Sequence, residues 1–208
     1  LQSFVGMHEV PIVYGLTIGE YATMINKEGW LNNNMKSNLT IIELKNYNRK
    51  VTYDLPILPS PNLPNRKSIN LYPSLCLFEG TNVSAGRGTE MQFQIYGSPY
   101  LNKEKNNFRF TPKKNSGSKY PKHENLLCYG KNLSENKKLD KFDLSFLLNA
   151  YSDTNDKQNF FNNYFDKLAG TNSLKNQIIS GLSEKKIIQS WKKKLDIYKE
   201  MRMKYLIY

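Results

Sequence analysis

The clearest periodic segment begins at Thr17-Ile18-Gly19-Glu20, where Ile18, Tyr21, Ala22 and Ile25 fall on one face of a 3.6-residue repeat. Thr17 can cap this segment, and Glu20, three residues on, can complete a capping box, which predicts a helix from Thr17 to about Glu28 that stops near Gly29. Leu39-Thr40-Ile41-Ile42-Glu43-Leu44 is an apolar, β-branched run of strand length. Helix followed by strand is half of an α/β repeat, so a partial parallel sheet is expected here. Four prolines between Leu55 and Pro64 forbid a helix and a central strand, making this stretch an extended connector with a domain boundary just beyond it. From Ser68 the pattern changes to short strands, best seen at Leu75–Phe78, Phe93–Tyr96 and Phe108–Phe110, with a polar surface loop over Lys113–Lys122. After Asp143 the spacing turns helical. Leu144, Leu147, Leu148 and Tyr151 form one stripe, and Phe161, Tyr164, Phe165 and Leu168 form another. Ser183 caps a long last helix whose Ile187, Ile188, Trp191, Leu195 and Tyr198 face a core. The fold class is therefore α/β plus α+β, with residues 1–66 in one domain and 67–208 in a second that ends in helices.

Composition narrows the function. The 208 residues carry a formal charge of +12, but 25 of the 30 cations are Lys, only five are Arg, and 25 residues are Asn. Base readout and bidentate phosphate recognition favour Arg, and the lysines are scattered instead of forming one stripe. A joint Lys and Asn excess reads as solvated surface, so nucleic acid is not the expected partner. No run of about 20 apolar residues is present to span a bilayer. The chain opens at Leu1 with no basic n-region and no apolar h-region, and reads as a processed chain or a fragment beginning inside a fold. Two cysteines, Cys76 and Cys128, exclude a four-thiolate zinc site; they are either free buried thiols or a disulfide. His8 and His123 lie far apart without metal-ligand spacing, so no metal is expected.

Two places can carry chemistry. Glu79-Gly80-Thr81-Asn82-Val83-Ser84-Ala85-Gly86-Arg87-Gly88-Thr89 packs three glycines, three hydroxyls, an amide, a guanidinium and a carboxylate into eleven residues. Such a loop suits close approach to a polar ligand, or a tight turn stapled by Arg87. It matches neither a phosphate-binding Walker loop nor a dinucleotide fingerprint. Glu20 is explained by its capping box, yet it also sits at a helix N-terminus, where α/β folds place ligands and where a carboxylate is kept ionised.

The ordered series Ser3-Phe4-Val5-Gly6, Gly15-Leu16-Thr17-Ile18-Gly19-Glu20, Pro59-Ser60-Pro61-Asn62-Leu63-Pro64, Tyr72-Pro73-Ser74, Glu79–Ser84 and Gly86-Arg87-Gly88-Thr89 resembles the exo-β-N-acetylmuramidases of the NamZ type. The likeness runs from Ser3 to Tyr208. It implies an exported, periplasmic or cell-surface bacterial glycosidase, free of cofactors, that releases terminal N-acetylmuramic acid from peptidoglycan fragments. It also implies that residues 1–66 are the tail of a Rossmann-like domain whose first part is absent here and acts as a partner. Residues 67–208 would be the whole C-terminal domain. On this resemblance Glu20 and Glu79 become candidate catalytic carboxylates, with Glu79 alternatively an anchor for Arg87. Asn82, Ser84, Arg87 and Thr89 become candidate substrate-binding residues. A non-catalytic glycan-binding module on the same scaffold is the competing expectation.

Overall fold

The computed structural model describes residues 1–208. It holds six α-helices and one three-stranded antiparallel sheet, and divides into two compact units that interleave along the chain. Unit 1 comprises Leu1–Met7 and Asp54–Ile187; unit 2 comprises His8–Tyr53 and Ile188–Tyr208.

In unit 1 the sheet order is β1 (Ile95–Ser98), β3 (Cys128–Asn132), β2 (Phe108–Phe110). The central strand contains Gly, Lys and Asn, residues depleted in strands, so no apolar run announces it. Its place is set by contact instead. Gly130 faces Gly97 on one side and Phe108 on the other. A Cβ at Gly130 would lie 1.8 Å from the Tyr96 carbonyl oxygen, so only glycine lets the strands close.

The strand expected at Leu75–Phe78 is not formed. Helix α2 (Arg66–Leu75) starts from an Asn65–Ser68 capping box, continues through Pro73, and passes into a 3-10 turn over Cys76–Gly80. A short apolar run reads equally as a strand or as a buried helical segment. Burial decides: Leu71, Leu75, Leu77 and Phe78 are all in the core. The expected strand at Phe93–Tyr96 is displaced to Ile95–Ser98, because Phe93 adopts a left-handed φ of 51°. Phe78 stacks on Tyr96 with ring centroids 4.9 Å apart. Helices α3 (Ser145–Asp153), α4 (Phe165–Ala169) and α5 (Ser173–Ile179) complete unit 1, burying Leu147, Phe165, Leu174 and Ile178.

In unit 2, α1 (Ile18–Lys27) forms with its capping box intact and gives way to Gly29 at φ 75°. Met24, Leu16 and Tyr198 make its core, covered by Tyr14, Tyr21, Trp30 and Met201. Ile18, expected on the apolar face, is 85% exposed. Helix α6 (Glu184–Met203) begins in unit 1 and continues through unit 2, with Ile187 and Tyr198 buried and Ile188 exposed.

The Leu39–Leu44 strand and its parallel sheet are absent. That segment carries no sheet pairing, and Ile42 is 87% exposed. A strand exists only beside a hydrogen-bonded neighbour, and every strand of this molecule lies in unit 1 and pairs antiparallel. The proline-rich stretch 55–64 has neither helix nor strand. No helix is long and apolar enough to cross a membrane.

Candidate functional site

The loop from Glu79 to Thr89 is fastened at both ends. Its start is held by Asn162, whose backbone N–H donates to the Gly80 carbonyl (3.0 Å), and by the Asn82 N–H donating to Phe160 (2.7 Å). Its middle is tied to β1 by reciprocal bonds between Ser84 and Gly97, 2.8 and 2.9 Å. Gly88, at φ 83°, packs so closely that a Cβ would lie 2.5 Å from Pro121 Cβ. Both candidate hydroxyls serve the turn itself. Ser84 Oγ accepts from the Gly86 N–H (3.2 Å), while Thr89 Oγ1 donates to the Gly86 carbonyl (2.7 Å) and accepts from Met91 (3.0 Å).

Arg87 Nη1 donates to Glu79 Oε1 at 2.8 Å, and both side chains keep part of their surface in solvent. The pair borders a cavity of about 270 Å³ whose walls include Ser84, Tyr120, Lys122 and Tyr164. Glu79 is the sole carboxylate among its lining residues. Two polar groups nearby have unfilled capacity: Arg87 Nε, and both amide atoms of Asn82, are shielded from water without a hydrogen-bond partner. Leaving a buried donor or acceptor unmade costs about 1–3 kcal/mol, so such groups mark either a ligand site or a strained one.

Lys122 is the residue the sequence reading missed. Its Nζ donates to the carbonyls of Phe78 (2.9 Å), Val83 (3.0 Å) and Thr81. Burial pushes its pKa down to about 8; the Glu79 carboxylate pulls it back up, and Arg87 pushes it further down. His123 Nε2 lies 2.7 Å from the Asn82 carbonyl and therefore carries a proton that it donates there. Burial lowers the His123 pKa, the Asn82 carbonyl raises it and Lys122 lowers it again.

Glu20 belongs to unit 2 and is fully buried. Oε2 accepts from the Thr17 N–H (2.7 Å), Oε1 from the Ile207 N–H (2.7 Å), and Arg49 Nη2 reaches both oxygens at 2.5 Å. Burial raises its pKa, but Arg49 and the two amides outweigh that and hold it at about 2. This is the geometry of a structural anchor; no oxygen is left unengaged for a sugar.

Both cysteines are free. Burial, reinforced at Cys76 by Glu79, pushes each thiol to about 12. Alkylation of the folded protein with iodoacetamide at pH 8 should therefore leave both unmodified, with two adducts appearing by mass spectrometry only after denaturation. A Cys76–Cys128 linked peptide under non-reducing conditions would contradict the structure.

The comparisons cover the chain end to end. Two family models match it: the N-terminal model of exo-β-N-acetylmuramidase NamZ over residues 1–67 and the C-terminal model over 70–208. Among curated proteins, peptidoglycan β-N-acetylmuramidase NamZ of Bacillus subtilis is 36% identical, the alignment covering 99% of this chain and 53% of that protein. A crystal structure of a DUF1343 family protein from Bacteroides fragilis superposes with a TM-score of 0.94 at 43% identity, over 100% of this chain and 59% of that one. A second DUF1343 protein from the same organism shares the fold at TM-score 0.77 and 20% identity, over 99% of this chain and 59% of that one. The chain thus spans about half the length of the curated relative it matches.

Proposed function

This chain belongs to the NamZ family of exo-β-N-acetylmuramidases, and from that premise we propose that it serves in a glycosidase releasing terminal N-acetylmuramic acid from peptidoglycan fragments. The observation that carries this reading is the Glu79–Arg87 pair at the wall of the loop cavity. A guanidinium matches carboxylate geometry, so Arg87 takes the lactyl carboxylate of the muramyl residue. Asn82 does not itself line the cavity, but it adjoins the lining residue Val83, and its unfilled donor and acceptor make it the group to take the acetamido. Ser84 and Thr89 shape the loop, and Glu79 is the carboxylate placed to exchange a proton with a bound sugar.

The carboxylate count bears on mechanism. Retaining and inverting glycosidases each use two carboxyls, and the cavity has one. One suffices where the substrate's own 2-acetamido group is the nucleophile; the two-carboxyl mechanisms need a second from outside the cavity. The same proposal makes residues 1–66 the closing portion of a Rossmann-like domain, residues 67–208 the C-terminal domain, and the site of action the periplasm or cell surface. The remaining length that the relatives carry is the partner to include in any assay.

The test is to incubate the chain, alone and with a polypeptide equivalent to that remaining length, with a disaccharide ending in N-acetylmuramic acid. Release of free N-acetylmuramic acid is the expected result. Binding without turnover would make this a glycan-binding module instead, and neither binding nor turnover would overturn both readings.

A further inference from the structure

Four carbonyls, three in the loop and one just before it, are gripped by two adjacent side chains. Lys122 Nζ donates to the carbonyls of Phe78, Thr81 and Val83, and His123 Nε2 donates to that of Asn82. An ammonium has three N–H donors, and here all three are engaged by backbone, so Lys122 has none left for a ligand. Three converging carbonyls around one half-buried cation is the arrangement by which a metal ion fixes a loop, built from a side chain. The grip itself is held in place. His123 adopts a left-handed φ of 60°, unusual for a non-glycine residue, and packs edge-on against Tyr100 with centroids 5.8 Å apart. Its Nε2 also lies 3.4 Å from Ser98 Oγ, at the end of β1. Pro121, the preceding residue, lies against Gly88, so the same short segment touches both ends of the loop.

What the grip restrains is the arc that carries Glu79. Glu79 in turn orients Arg87 at 2.8 Å. The arc also contains the Asn82 amide, whose unmade hydrogen bonds favour rearrangement of the loop; three charge-assisted bonds from Lys122 and one from the His123 ring oppose that rearrangement.

We infer that Lys122 and His123 form a clamp that positions Glu79, and through it Arg87, for the carboxylate of a bound sugar acid. This rests on reading the cavity as a muramyl site. Lys122 is accordingly a positioning residue and touches no reacting atom.

Two variants test it, Lys122→Met and the milder His123→Phe, which keeps the ring against Tyr100. Each is read in two independent ways. Hydrogen exchange followed by mass spectrometry reads the amides of Asn82, Val83 and Ser84; in both variants their exchange should accelerate by roughly tenfold or more, with β1–β3 amides unchanged. Calorimetry then compares N-acetylmuramic acid with N-acetylglucosamine, which lacks the lactyl carboxylate. The wild-type preference for the acid should shrink by roughly tenfold in Lys122→Met, as one charge-assisted bond loses its alignment. Unchanged exchange in both variants would overturn the clamp. Faster exchange with the preference retained would overturn its positioning role. Wild-type protein that binds neither sugar would overturn the muramyl reading, and the exchange data would still decide the clamp.

Discussion

Replacing Glu20 by Gln should lower the unfolding free energy by about 2–4 kcal/mol, because it leaves Arg49 facing a neutral amide at a buried site. The capping box is not the reason, since Gln completes one as well as Glu does. What disappears is the charge that binds Arg49, Thr17 and Ile207 to one point, and with it the joint between the start of α1 and the C-terminal tail of unit 2. For a chain of this length the melting temperature should fall by roughly 5–12 °C. Acid should reproduce the effect in the wild type. A carboxyl held at about 2, against an ordinary 4.5, contributes stability that is fully present above 4.5 and is lost as pH falls towards 2. The contribution is at most about 3 kcal/mol. Urea denaturation at pH 7 and pH 3 checks both statements, and the Gln variant should show a shallower decline across that window. An unchanged melting temperature would return Glu20 to the list of groups free for chemistry.

Glu20 also shows what a sequence can and cannot convey. Thr17-x-x-Glu20 is a local signal, its partners lie within one turn, and the helix forms where the pattern puts it. That the same carboxylate binds Arg49 and Ile207 depends on contacts 29 and 187 residues away, which no window of sequence contains. Asn65-x-x-Ser68 is a similar local signal that the sequence analysis leaves unused, with a strand expected at the apolar Leu75–Phe78 run instead. Such a run says only that the segment is buried, and burial is compatible with helix and strand alike. The error at Leu39–Leu44 has a different cause. Its residues are suited to a strand, but pairing is a property of two segments, and Leu39–Leu44 carries no sheet pairing in this structure. Strand β3 fails in the opposite sense, with poor strand residues held by two good neighbours. At the site, the loop was legible because glycines, hydroxyls and a lone arginine in eleven residues are unusual. Lys122 was not legible. In a chain with 25 lysines, one in a polar loop looks like the others until three carbonyls are seen to converge on it.

Arg87→Ala should weaken binding of N-acetylmuramic acid by roughly 10- to 100-fold, the range expected when a charge-assisted hydrogen bond worth about 1.5–3 kcal/mol is removed. Stability should scarcely change. The Arg87–Glu79 pair is partly exposed, and such pairs contribute less than about 1 kcal/mol. Arg87→Lys should recover part of the loss, since an ammonium keeps the charge but not the planar fork that meets a carboxylate at two points. N-acetylglucosamine supplies the control. It shares the ring and the acetamido group but has no lactyl carboxylate, so its affinity should be the same in wild type, Arg87→Ala and Arg87→Lys. Calorimetric titration of the three proteins with the two sugars gives six numbers, and the pattern matters more than any one of them. A loss confined to the acidic sugar assigns Arg87 to the carboxylate. An equal loss for both sugars would mean that Arg87 maintains the shape of the loop, the alternative its contact with Glu79 already allows. No loss for either would move the carboxylate-binding site away from this cavity altogether.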